Sequence, residues 1–284
     1  MSKIIVFGSS GFVGKAVCNL LAKLNYEIVK IDRNVFSNMK SSPMDFRKSI
    51  NETDILIFAS AIAPAKNSQD FLDNIVLVQE FLELTRGLNF AYLLNISSDA
   101  VYGDYSRPIT EEDTPQPTNI HGMMHHSREF LLRQYFGESM GNLRPTLIYG
   151  PKDPHNSYGP NKFIRQALTH NRIEVIGDGE EQRDHIFIED VARIAHLMVK
   201  LRLNENLNAA TGRTIDFKSI ALFIQSQIPK TDIAFLDRNG RTMPHDGYRA
   251  FNISKLQMLA PDLSVLDLDE GIRTTLKEVS EIGV

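Results

Sequence analysis

Two histidines four residues apart, His121 and His125, and the glycines of Gly8-Ser9-Ser10-Gly11-Phe12-Val13-Gly14 are the residues of this chain best placed to do chemistry. An imidazole titrates near neutral pH, so a histidine can give or take a proton without a neighbour to tune it. Residues four apart share one face of a helix, so both rings can serve one site. The glycines suit a different task. Residues without Cβ let a strand turn sharply into a helix and let backbone N–H groups approach a pyrophosphate, at the positive end of the helix dipole. Gly14 lets the new helix pack closely on the strand it left. Asp32 follows about 20 residues beyond the glycines, where an acid holds the ribose hydroxyls of a dinucleotide. Two other readings stand beside these. The glycines could form a turn with no ligand. The histidines could be a metal pair, although Gly122 stands where His-Glu-x-x-His enzymes carry a carboxylate and no third ligand has recognisable spacing. No metal is expected.

Elements that could position these groups alternate along the first 150 residues. β-branched, apolar runs at 3–7, 27–31, 54–59, 90–96 and 141–149 read as buried strands. Helical spacing runs from 69 to 86, with Phe71, Leu72, Ile75, Val78 and Leu82 toward the core, and from 121 to 136. Met44-Asp45-Phe46-Arg47 falls in a polar passage, 104–120 is an acidic, proline-bearing loop, and 187–201 reads as a helix closing back on the sheet. Met123 and Met124 read as core or pocket-wall filler. The pattern predicts an α/β fold, a Rossmann-type doubly wound parallel sheet with a smaller, mixed C-terminal region. Residues 1–150 would hold the cofactor, with elements from about 177 to 210 returning to them, and 151–284 would mainly bind substrate. Ligands of such sheets lie beyond the carboxyl ends of the strands, where Gly8–Gly14, Asp32, 59–63, 97–103 and 149–160 would converge.

The totals are those of an ordinary globular protein: 284 residues, 42% hydrophobic, 23% charged. A net charge of -4 with no basic stripe argues against a nucleic-acid partner. The one cysteine, Cys18, excludes an internal disulfide and reads as a small core residue. No apolar stretch has membrane-spanning length, and the chain enters a strand without a charged-then-apolar leader, so a cytoplasmic protein that binds no membrane is expected.

At Ile96-Ser97-Ser98-Asp99-Ala100-Val101-Tyr102-Gly103 and His121–His125 the chain resembles the extended short-chain dehydrogenase/reductase family, the NAD-dependent nucleotide-sugar epimerases and dehydratases. The resemblance runs from Ile4 to about Ala195. It implies a cofactor turn at Gly8, Gly11, Phe12, Val13 and Gly14, an adenine contact at Asp45 and Phe46, and a nicotinamide-side strand end at Ala59, Ser60 and Ala61. Asn74 matches an asparagine on the family's central helix, counted with the cofactor residues. Ser98 and Asp99 would meet the sugar, Ser98 steadying the reacting oxygen. Arg183 of Arg183-Asp184-His185 would grip the substrate's diphosphate, a planar fork on phosphate oxygens. NAD is the implied cofactor because Asp32 repels a 2′-phosphate; Arg33 beside it leaves NADP open. Homodimers built from helices such as 69–86 and 121–136 are usual in the resembled family.

Departures from the family pattern matter as much. The family's catalytic Tyr-x-x-x-Lys is His121-Gly122-Met123-Met124-His125 here. Leu147 stands where many members seat substrate with an asparagine, and Ala100 where 4,6-dehydratases carry a glutamate. The expected function is hydride transfer at a ring carbon of a nucleotide-activated sugar, by an epimerase or a keto-sugar reductase rather than a dehydratase. His121 would replace the tyrosine as acid/base, and His125 would replace the lysine at the ribose hydroxyls. The alternative is a catalytically silent NAD(P)-binding sensor or partner protein on the same fold.

Overall fold

The structure is a computed structural model that describes residues 2–41, 43–156 and 158–282. From the amino end the elements are β1 (Ile4–Phe7), α1 (Phe12–Lys23), β2 (Ile28–Ile31), α2 (Arg33–Ser41), α3 (Pro43–Ser49), β3 (Ile55–Phe58), α4 (Ser68–Thr85), β4 (Tyr92–Ile96), α5 (Ile120–Phe136) and β5 (Met140–Pro145). There follow β6 (Leu147–Tyr149), α6 (Pro160–His170), β7 (Arg172–Ile176), β8 (Gln182–Arg183), β9 (His185–Phe187), α7 (Ile188–Leu201) and β10 (Asn206–Ala209). The chain closes with β11 (Ile215–Asp216), α8 (Phe217–Gln227), β12 (Asp232–Leu236), β13 (Tyr248–Arg249), α9 (Ser254–Leu259) and α10 (Leu268–Ile282). Among the described residues no helix is long and apolar enough to cross a membrane.

Two compact units emerge. The first holds residues to Gly103, Glu111–Pro145 and Glu189–Ala209. Its six strands are all parallel, in the order β10-β5-β4-β3-β1-β2. β1, β3 and β4 are buried along their whole length, as near-continuous apolar runs require in a sheet covered on both faces. Rings fill one face: Phe7 meets Phe81 edge-on at 4.9 Å, and Phe58 stacks on Phe81 at 4.4 Å. Each such pair adds about 0.5–1.5 kcal/mol beyond simple burial.

This core explains where the sequence reading needs correction. The polar passage after Asp32 folds as α2 and α3, because Phe46 turns inward against Phe7, 5.9 Å between rings. On α4 the buried stripe is Asn74, Val78, Phe81 and Leu82, while Leu72 stays 54% exposed. Met124 is buried, but Met123 faces outward. The expected strand over 141–149 is two strands in two sheets, since Thr146 leaves the main sheet and bonds the Asp184 carbonyl.

The second unit holds Asp104–Thr110, Thr146–Ile188 and Ala210 onward. Its sheets are small: β11-β8-β13, β12-β7 and β6-β9. Gly177–Ile188 belongs to this unit, so only α7 and β10 return to the large sheet. Asp184 ties it together, accepting the Thr211 N–H at 3.0 Å, the Thr211 hydroxyl at 2.9 Å and the Gly212 N–H at 2.8 Å.

Candidate active site

At the carboxyl end of β1 the chain turns on glycine for steric reasons. Gly8 has φ +83°, and a Cβ there would lie 2.6 Å from the Ser60 nitrogen. A Cβ on Gly14 would lie 2.1 Å from the Gly8 carbonyl oxygen, so α1 can start this close to β1 only with glycine. Gly11 differs. A Cβ there would meet only the Gly8 oxygen, at 3.3 Å, so its outer side is open. Gly11 also caps α1 without any side-chain hydrogen bond. Free N–H groups, an open approach and the positive dipole end together fit a pyrophosphate. Phe12 and Val13, half-buried, form the first turn of α1.

Asp32 ends β2 and caps α2, its Oδ1 accepting the Val35 N–H at 2.9 Å. Arg33 beside it is exposed. Ala59, Ser60 and Ala61 leave β3 half-buried at the same carboxyl edge. The residues that follow are fixed by Asn74. Its Oδ1 accepts the Ile62 N–H at 2.9 Å, and its Nδ2 donates to the Ile62 and Asp70 carbonyls at 3.0 and 2.8 Å. Asn74 therefore shapes the loop after β3 through backbone bonds. Phe46 is buried against Phe7, and Asp45, in the first turn of α3, lines a groove with Lys3, Val29, Val35 and Ser49.

The histidine pair occupies the start of α5, and its surroundings place it at the carboxyl edge of the sheet. Asn119 caps the helix by accepting the Gly122 N–H at 2.9 Å. Gly122 packs on the turn after β4, where a Cβ would lie 2.0 Å from the Ala100 carbonyl oxygen. On the other side Nδ1 of His121 accepts the Ala65 N–H at 3.3 Å. His121 thus stands between the loop after β3 and the Ser98–Ala100 turn. The His125 ring lies edge-on to it, 4.7 Å between centroids and 5% exposed. Burial holds His125 well below the usual histidine range, helped by the Arg128 and His121 charges, so the ring is neutral. Ser98 caps the short turn over Asp99–Val101, its Oγ accepting the Ala100 N–H at 3.1 Å and donating to Asp99 Oδ1 at 3.4 Å.

Beneath this edge lies a polar frame that spacing did not reveal. Glu129 receives both Nε and Nη2 of Arg144, at 2.9 and 2.6 Å, and Nη1 of Arg144 donates to the Tyr102 hydroxyl at 2.8 Å. Tyr102 in turn donates to Asn208 at 2.9 Å, and burial pushes its hydroxyl up to about 12. The signature's tyrosine is therefore scaffold. Its only sequence signal is that Glu129 falls on the same helix face as His121 and His125.

In the second unit Arg183 is buried, in register with Arg249 across β8 and β13. Its Nη1 donates to the Gln182 carbonyl at 3.0 Å, and the Glu181 carboxylate lies 3.8 Å away. Asp104 faces both Arg249, at 3.4 Å, and His245, at 2.5 Å. Burial first, and then Arg249, lower the His245 pKa. His185 pairs in register with Leu147, and its ring is buried. Burial pulls its pKa down to about 3. Among the described residues no group of three or more His, Cys, Asp or Glu side chains could hold a metal.

Known proteins carry the same architecture. A candidate UDP-glucose 4-epimerase of Methanocaldococcus jannaschii is 26% identical over 301 residues, covering 95% of this chain and 96% of its own. The GDP-6-deoxy-D-talose 4-dehydrogenase of Aggregatibacter actinomycetemcomitans is 26% identical over 221 residues, 74% of each chain. The UDP-glucuronic acid 4-epimerase of Bacillus cereus, solved with UDP-glucuronic acid and NAD, superposes with a TM-score of 0.83 at 23% identity, over 99% of both chains. The family profile described as NAD dependent epimerase/dehydratase matches residues 4–210, most of the chain, and this chain belongs to that family.

Proposed function

We propose that this protein oxidises or reduces a ring carbon of a nucleotide-activated sugar, with His121 as the proton-transfer group. The observation that carries this reading is the position of His121, set between the loop after β3 and the Ser98 turn with His125 behind it. When bound at the Gly8–Gly14 turn and Asp32, NAD supplies the hydride acceptor or donor; the similar enzymes of UDP- and GDP-sugars support the substrate class.

The side chains divide the remaining work. The Ala65 N–H holds Nδ1 of His121 as an acceptor, so in the neutral ring Nε2 carries the hydrogen and points a donor at the sugar oxygen. Taking a proton from a sugar hydroxyl needs the other tautomer. That costs a contact of 3.3 Å, about 1 kcal/mol, small against what general catalysis returns. The hydroxyl of Ser98, its acceptor role taken by the Ala100 N–H, turns its one hydrogen from Asp99, a long 3.4 Å contact, to the same sugar oxygen. Neutral His125 reaches a ribose hydroxyl with a ring N–H. Ala100 brings no carboxylate for water elimination, so epimerase or keto-sugar reductase chemistry is favoured. Arg183, buried and rigidly held, is the group for the diphosphate.

A panel of UDP- and GDP-sugars with NAD, followed by nicotinamide absorbance and product analysis, tests the reading. His121→Phe is expected to bind NAD as the wild type does and to lose about 10²–10⁴-fold in turnover. Unchanged turnover removes His121 from the mechanism. NAD binding without turnover of any sugar by the wild type favours the silent sensor. The same reading makes a homodimer the natural assembly, with Leu72 and Val76 of α4 and Met123 and Phe130 of α5 as an exposed apolar face for a second copy. Phe130→Glu is expected to convert a dimer to monomer in sedimentation, and a monomeric wild type would rule the dimer out.

A further inference from the structure

Below the histidine pair, α5 carries a buried charge that the proposed proton transfer does not use. Arg128 lies one turn beyond His125 and is 0% exposed. Its guanidinium stands over the Phe58 ring at 4.8 Å, and Nη2 donates to Asn95 Oδ1 at 3.2 Å. Nε and Nη1 have no partner among the described residues. Glu129, next in sequence, steadies it through space but is not bonded to it, because both carboxylate oxygens are taken by Arg144. On the sheet side stand only neutral amides: Asn95 donates to Asn142 at 2.9 Å, and Asn142 to Asn206 at 2.9 Å. Of the charges on the elements packed against α5, Asp70 at the start of α4 accepts the Lys66 N–H, Asp99 accepts from Ser98, and Arg144 of β5 is closed on Glu129. None is bonded to Arg128. Burial pushes Arg128 down to about 10, which still leaves it charged at neutral pH.

A cation in an apolar interior without a counter-charge is costly and is normally neutralised or replaced by an apolar side chain. Here it is kept, and its field is weakly screened. His125, between Arg128 and His121, already feels it. We propose that Arg128 sets the redox preference of the bound cofactor: its buried charge disfavours the cationic oxidised nicotinamide against the neutral reduced ring, so the site holds NADH more tightly than NAD. This rests on the proposed placement of the nicotinamide beside His121 and His125. A unit charge about 10 Å away at an effective dielectric near 20 shifts the preference by about tenfold.

The test is the ratio of NAD to NADH dissociation constants, measured on the wild type and on Arg128→Met, Arg128→Lys and Asn95→Asp. Arg128→Met removes the charge, Arg128→Lys keeps it, and Asn95→Asp sets a carboxylate against the guanidinium in place. The preference for NADH is expected to fall about tenfold in Arg128→Met and in Asn95→Asp and to persist in Arg128→Lys. Should Arg128→Met fail to fold, Asn95→Asp decides alone. Both affinities falling in parallel, with the ratio unchanged, marks a purely structural arginine and overturns the proposal. A wild type that binds neither form overturns the cofactor placement, and this inference with it.

Discussion

Two helix starts at the carboxyl edge of the same sheet, those of α1 and α5, solve one packing problem and then part. Each brings a glycine against backbone where no Cβ fits, Gly14 on Gly8 and Gly122 on Ala100. The first start carries no side-chain cap on Gly11, and the N–H groups that open a helix suit an anion. The second is sealed by Asn119, so its chemistry has to come from side chains. The difference teaches where change is tolerated. Backbone that must approach backbone admits only glycine, whereas side chains meet no such bar, and the two imidazoles of α5 are the exchange proposed above.

The steric claim breaks most readily at the glycines. Gly14→Ala and Gly122→Ala are each expected to cost about 1–3 kcal/mol in urea unfolding, because the obstructing atom is a carbonyl oxygen rather than a yielding side chain. They should part in function: Gly14→Ala weakens NAD binding directly, while Gly122→Ala spares it and lowers turnover by displacing His121. Equal loss of NAD affinity in both variants would erase the contrast.

Acid sharpens the comparison next. The Gly8–Gly14 turn has no titratable side chain, whereas α5 carries His125 with its pKa depressed by burial. Below about pH 6.5 the unfolded chain takes up a proton that folded His125 refuses, so stability falls as pH falls, by about 1 kcal/mol per unit. His185 adds the same dependence in the second unit, between about pH 6.5 and its folded value of about 3. Unfolding at pH 7 and pH 5 should show a smaller difference in His125→Phe than in the wild type. An equal difference would mean that His125 is not held neutral.

The smallest expected effect is at the cap. Asn119→Ala should destabilise by about 1 kcal/mol, seen in thermal unfolding, since it strands the Gly122 N–H. No such variant exists for α1, whose cap is a glycine.

How far the sequence could be read follows from the kind of force involved. The glycine turn, Asp32, the parallel strands and the His-x-x-x-His pair were legible because spacing and residue type suffice: steric limits and helix periodicity are local. Asn74 was located by its match to the family, but that match names a position and not the backbone groups of Ile62 and Asp70 that it bonds. The inward turn of Phe46 was hidden for a related reason. An aromatic residue in a short polar segment gives no sign of turning inward until Phe7 and Phe36 are there to receive it. Arg128 gave no signal at all, since a charged residue on a helix ordinarily marks the solvated face.

By itself, then, the sequence determined the backbone architecture of the cofactor side: where chain meets chain too closely for a Cβ, only glycine serves, and that requirement is written residue by residue. It also placed two imidazoles on one helix face, because a period of 3.6 residues needs no neighbours. The tertiary structure alone decided which charges are buried and what compensates them. Glu129 pairs with Arg144 and leaves Arg128 without a bonded carboxylate among the described residues, because burial and pairing depend on which strands lie beneath α5. Those strands, β3, β4 and β5, are brought there by a topology that no single segment encodes.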